Sequence, residues 1–161
     1  MDKITTDSPK RLIVADAVDA LAQELFGDKY DYSITTTQHD PIEDVFKLQK
    51  PKWTTILGDE SSELFDLGGV IANDVLVNVL VMANVQSNHL AHAIPYLEDI
   101  EAVKKELVGK IIEYKGHTIY GNVQSEDYPA WSSTHDIDYS AGGSVLRVLF
   151  AIVLRIFDNH D

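Results

Sequence analysis

His89 and His92 stand three residues apart, a spacing at which two imidazoles on one helical face can share a metal ion. No third ligand of matching placement accompanies them and no HExxH occurs, so they read as surface histidines near a helix start. Ser132, Ser133, His135, Asp136 and Asp138 include every residue type of a hydrolytic triad. Crowded into one short segment they cannot adopt its geometry, which draws groups from separated elements, and there is no GxSxG. They read as turn and cap residues. Gly68-Gly69 and Gly142-Gly143 precede strands, whereas phosphate cradles open helices, so both pairs read as turns. With no cysteine, disulfide scaffolds and thiolate metal sites are excluded. The expectation is a protein with no catalytic residue, no cofactor and no metal, hence not an enzyme.

The elements explain more than the motifs do. Val75, Val77, Val79, Val81, Ala83 and Val85 form one apolar face, and Leu76, Asn78, Leu80, Met82 and Asn84 the other, which predicts a half-buried strand. Leu90, Ile94, Leu97, Ile100, Val103, Leu107 and Ile111 recur every three or four residues and predict the main helix over 95–115. Pro95 suits its first turn, residues 88–94 form a lead-in that reads as a turn or as helix, and Gly116 is the stop. Glu98, Asp99 and Glu101 then precede Lys104, Lys105, Lys110 and Lys115, an order that complements the helix dipole.

A first helix opens at Asp7-Ser8-Pro9, with Asp7 or Ser8 as cap, and closes at Gly27. Val14, Ala17, Val18, Leu21 and Leu25 face in; Asp16, Asp19 and Gln23 face out. Residues 28–41 read as loop with a short extended piece, 44–48 as a short strand, 53–57 as the next strand and 58–69 as an acidic loop or arm. Residues 117–124 alternate, 127–140 make a polar excursion, and Gly142-Gly143 opens a last strand. In it Leu146, Val148, Phe150, Ile152, Leu154 and Ile156 share a face, with Arg147 and Arg155 opposite, and this strand is expected to be central. The fold class is α+β: one domain over 1–161, a mostly antiparallel sheet of about four to five strands under two helices, in the order α-β-β-β-α-β-β.

Net charge is −13. No lysine or arginine occurs between Trp53 and Val103, a span that holds Asp59, Glu60, Glu63, Asp66, Asp74, Glu98, Asp99 and Glu101. Such a chain presents no basic stripe for phosphate-backbone binding. The N-terminal stretch lacks the design of a signal peptide, and Val145–Phe157, broken by Arg147 and Arg155, is too short to span a bilayer as a helix. A soluble protein without a membrane partner is expected.

An amphipathic first helix, strands around KPKWTTILGDE (Lys50–Glu60), a loop, the strand VLVNVLVMA, a charged helix and two final strands make up the layout. Over nearly the whole chain this resembles the tail-terminator (minor tail protein U-like) family of tailed bacteriophages, in architecture and hydrophobic pattern. Lys50, Trp53, Ile56 and Gly58 lie where that family carries the strand entering its sheet. The resemblance implies a virion structural protein of the tail or neck, assembled in the host cytoplasm. It implies a homo-oligomeric ring, usually a hexamer, that caps the tail-tube protein, stops its polymerisation and meets a head connector or head-completion protein. DNA would pass through the lumen without specific binding. Expected interface residues are Asp59, Glu60, Glu63, Leu64, Phe65 and Asp66 on the acidic loop, with Arg147 and Arg155 pairing within the subunit or across subunits. The other reading is a small acidic α+β module that binds or regulates a protein partner.

Overall fold

Two long strands, Val70–Val85 and Gly143–Asn159, pair antiparallel over their whole shared length and carry the rest of the sheet. The computed structural model describes residues 3–36, 50–64, 69–85, 90–121, 128–140 and 143–159. In chain order the described elements are α1 (Lys10–Phe26), a 3₁₀ turn (Gly27–Lys29), β1 (Asp31–Thr35), β2 (Lys52–Leu64) and β3 (Val70–Val85). Then come α2 (Leu90–Leu107), β4 (Ile111–Tyr114), β5 (His117–Tyr120), β6 (Trp131–Ser140) and β7 (Gly143–Asn159). The sheet order is β1-β2-β3-β7-β5-β4. β6 and β5 share the second edge of β7 end to end, with β6 on Gly143–Ile152 and β5 on Arg155–Ile156. All pairings are antiparallel except β1 with β2.

Alternation decides which side is buried. Val75, Val77, Val79 and Val81 of β3 and Leu146, Val148, Phe150, Ile152, Leu154 and Ile156 of β7 lie under the helices and belong to the main core. Ile13, Val14, Ala17, Val18 and Ala22 of α1 and Ala93, Ile100, Val103 and Leu107 of α2 close it. Trp53 sits fully buried among Phe26, Tyr30 and Phe150, with ring centroids 5.3–5.7 Å away. Tyr30 donates to Asp99 Oδ2 at 2.6 Å and Lys29 pairs with the same oxygen, tying the 3₁₀ turn to α2. A smaller cluster of Ile56, Leu80, Met82 and Val145, with Leu149 against it, occupies the opposite face. Among the described residues, no helix is long and apolar enough to cross a membrane.

The architecture is α+β with two described helices and a mostly antiparallel sheet, as expected, but the sheet has seven strands among the described residues rather than four to five. β1 is a short extended piece within the loop expected over 28–41, β4 and β6 differ from the expectation, and the expected strand at 44–48 lies outside the described residues. β6 occupies the polar excursion: its exposed residues 132–136 gain their order from main-chain pairing with β7, not from burial. β4 was assigned to the second helix. That helix begins at Leu90, contains Pro95 and ends at Leu107, so Glu98, Asp99 and Glu101 are mid-helix and Lys110 and Lys115 lie beyond it. Gly116 is no helix stop but half of the β4–β5 turn, where Lys115 and Gly116 take φ of 48° and 79° between the paired residues Tyr114 and His117.

At the first helix the cap position is Pro9, without a side-chain cap bond, because the Ser8 hydroxyl accepts instead from the Thr5 amide at 2.9 Å. Gly27 ends the helix as expected. Asp19, expected to face out, is only 6 % exposed, and Leu25, expected to face in, is 41 % exposed.

Candidate functional site: the acidic arm

Residues 58–64 of the acidic loop expected over 58–69 are an extension of two paired strands. β2 runs on through Leu64 and β3 starts at Val70, with Glu60 opposite Val75, Ser62 opposite Asn73 and Leu64 opposite Ile71. Gly, Asp and Ser have low strand propensity, but the ladder to β3 supplies the order that the sequence of this stretch does not. The side chains from Asp59 to Leu64 are exposed, and Leu64 is 75 % exposed. Phe65 and Asp66 lie outside the described residues.

A bulge marks the base of the arm. Leu57 pairs with Val77 and Glu60 with Val75, so β2 carries one extra residue between them. Gly58 lies there against β3: a Cβ at this position would sit 2.2 Å from the Leu76 carbonyl oxygen. The Gly58 carbonyl accepts from the Arg11 guanidinium, through Nε at 2.8 Å and also through Nη2, which anchors the bulge to α1. Asp59 accepts from the Tyr128 hydroxyl at 3.1 Å.

Arg155 pairs with Asp74 on the face away from the helices, Nε to Oδ1 at 2.7 Å and Nη2 to Oδ2 at 3.0 Å. Its guanidinium is held above its already high pKa by the hydrogen bonds to Asp74, with the charges of Asp74 and Glu63 adding to the effect against partial burial. The expected residues therefore divide into two groups. Asp59, Glu60, Glu63, Leu64 and Arg155 gather on the arm and its base. Arg147 lies opposite Asp136 and Met82, eight residues back along β7 and roughly 26 Å from Arg155.

Asp74 and Tyr128 were not singled out from sequence. Extending the β3 alternation back by two residues would have placed Asp74 on the Leu76 face; Tyr128 carried no signal. The hydrolytic residue types are dispersed by the pleat of β6, with Ser133 and His135 opposite residues of the main core and Ser132 and Asp136 on the other face. They are strand residues rather than the turn and cap residues expected. His92 is half-buried on α2 and His89 lies outside the described residues. Among the described residues, no group of three or more His, Asp or Glu is placed to hold a metal ion.

No family model matches the chain, and no curated protein matches it significantly. The chemistry of the arm follows from its own surface. Its described residues present carboxylates and the exposed Leu64 on a hydrogen-bonded ribbon, which suits contact with a protein and repels a polyanion.

Proposed function

We propose that this protein is a ring-forming tail terminator or neck protein of a phage, as its resemblance to that family implies. The observation that carries the reading is the β2–β3 arm, which presents Asp59, Glu60 and Glu63 together with a 75 %-exposed Leu64 at and beyond the bulge at Gly58. A ring needs two dissimilar surfaces on each subunit, one fitting the other on its neighbour. A paired-strand arm that exposes Leu64 supports one of them. Carboxylates on the same ribbon favour a lumen through which DNA passes, since like charges repel and few counterions are displaced. In this reading the copies, usually six, cap the tail tube and meet the head through opposite faces, and no residue needs a catalytic role.

The test is to disrupt the gene in its source genome and view the particles by negative-stain microscopy. Overlong tubes detached from filled heads are the expected result. Tubes of normal length beside unattached heads would assign the protein to head–tail joining. Normal virions would refute the proposal and leave the acidic protein-binding module. A second strain neutralises the arm at Asp59, Glu60, Glu63 and Asp66 together. Unchanged ring docking and DNA ejection there would remove the arm from the mechanism.

A further inference from the structure

A groove of about 800 Å³ runs between α1 and β1, on a part of the molecule away from the arm. Ile4, Leu12, Ile34 and the Tyr32 ring give it apolar walls, and Asp19 and Gln23 of α1 line it as well. Its volume falls within the range of small-ligand sites, roughly 300–1,000 Å³.

Asp19 is the anomaly in that groove. It is only 6 % exposed, in the middle of a helix. Its Oδ2 accepts from the Gln23 side-chain amide at 2.6 Å, while its Oδ1 has no hydrogen-bond partner. Burial, the largest effect, and the Asp16 carboxylate hold its pKa above the usual range; the Gln23 bond works the other way. Asp16, one turn earlier, is neutralised by Lys115 at 2.8 Å, and the Lys115 ammonium also donates to the Ile4 carbonyl at 2.7 Å. The Tyr32 hydroxyl is committed to the Gly27 carbonyl at 2.8 Å. Among the described residues, no cation is paired with Asp19. Lys3 and Lys115 also line the groove, and Lys115 is committed to Asp16, which leaves Lys3 as the candidate to supply one from within the chain.

We propose that this groove binds an organic cation, an ammonium or guanidinium group on an apolar stem, with Asp19 as its counter-ion. A buried carboxylate with one oxygen unsatisfied gains most from a ligand that brings both charge and N–H donors. Hard divalent cations take about six to eight oxygen ligands, and a single carboxylate does not provide them. The apolar walls accept a stem of a few methylenes, and the Tyr32 face favours a cation over a neutral group. Gln23, whose side-chain amide holds Oδ2, is itself exposed, and a cation that binds Asp19 would displace it. The same chemistry belongs to a free polyamine-like molecule and to a lysine or arginine side chain of a protein partner.

The test is a ¹⁵N-correlation NMR titration of the full chain with agmatine, with N-acetyl-arginine amide and, as uncharged control, with n-butanol. Saturable shifts confined to residues 16–23 and 31–35 are expected with at least one cation, and at least tenfold weaker binding of n-butanol. Asp19→Asn should weaken the cation by at least tenfold while leaving n-butanol unchanged. Preference for agmatine identifies a free ligand, and preference for the capped arginine identifies a partner side chain. Equal binding of n-butanol and the cations, no saturable shift with either cation, or full affinity in Asp19→Asn overturns the proposal. Should Asp19→Asn not fold, the comparison of n-butanol with the cations decides alone. Lys3→Ala is the remaining control. If it creates cation binding where the native chain shows none, Lys3 is the counter-ion and the proposal fails for the native protein.

Discussion

Arg155 is the residue for which the fold makes the sharpest numerical demand. The sequence left it free to pair within its own chain or across a subunit boundary, and the geometry places it on Asp74. The two side chains are 23 % and 19 % exposed, so the pair is neither a surface salt bridge nor a fully desolvated one. Exposed pairs contribute about 0.2–1 kcal/mol, and hydrogen bonds to charged groups about 1.5–3 kcal/mol. A two-pronged, half-buried pair should fall near the overlap, with a coupling of about 1.5 kcal/mol. Arg155→Met alone leaves the Asp74 carboxylate without its cation and should cost roughly 2–3 kcal/mol. Asp74→Asn should cost about as much, and the double variant less than the sum by that coupling. Urea unfolding of the four proteins at low salt, at concentrations where the chain is monomeric, measures the cycle. At about 1 M salt, where the Debye length is about 3 Å, the coupling should shrink without vanishing, because the contacts are direct. A coupling below roughly 0.5 kcal/mol would refute the intrachain assignment. A coupling that appeared only at concentrations supporting assembly would return Arg155 to the subunit interface.

Other positions make simpler demands. Gly58→Ala should lower stability by about 2–4 kcal/mol, because a Cβ would meet the Leu76 carbonyl; a thermal melt should fall by on the order of 5–10 °C. Trp53→Ala, at the centre of the aromatic cluster, should cost about 3–5 kcal/mol in the same urea assay. Asp19 has a raised folded pKa, so the folded state holds its proton longer and stability falls as pH rises from 3.8 through that raised value. Asp19→Asn should therefore be more stable than the native chain by roughly 1 kcal/mol at neutral pH, with the advantage gone below the ordinary carboxylate range, as urea midpoints at the two pH values will report. Burial and the hydrogen bond to Asp99 raise the Tyr30 pKa above 10. The unfolded chain then loses that proton first, and stability drops as pH rises beyond 10. Tyr30→Phe should flatten that alkaline fall, read as the pH dependence of the melting temperature.

What the sequence revealed and what it hid follow one rule. β3, β7 and α1 were legible because each buries one face against a large core and so repeats with a clean period. β6 was hidden because its residues 132–136 are exposed, and only Trp131 and Ile137 on either side of them pack against the core. β4 was hidden because Ile111 continues the i,i+4 stripe from Leu107, whereas the Gly109 amide, bonded to the Gly121 carbonyl, has already turned the chain away. Asp19 was misplaced for a related reason. The N-terminal segment and the β4–β5 turn reach α1 from the side, through Thr6 to Lys115 and His117 and through Tyr114 and Lys115 to Asp16. The buried face of the helix is consequently wider than its apolar stripe. On the candidate site, exposed acids at Asp59, Glu60 and Glu63 could be read directly, but their strand register could not.

That register matters because a single inserted residue exchanges the two faces of a strand. Before the bulge Trp53, Thr55 and Leu57 pair with Val81, Val79 and Val77 on the helix side. Without the extra residue the alternation would carry Ser61 and Glu63 to that same side and away from Arg155. With it Ser61 pairs with Asp74 and Glu63 with Ala72, and both share the Arg155 face. The bulge thus lets one continuous strand serve two requirements. Its first half buries Trp53 in the core, and its second half sets Glu63 beside the Asp74–Arg155 pair while leaving Leu64 exposed on the other face. Because Gly58 admits no side chain and its carbonyl is held by Arg11, the position of that exchange is fixed from both β3 and α1. The contact proposed for the arm would need such a fixed base, since a slipping register would present a different face to each partner.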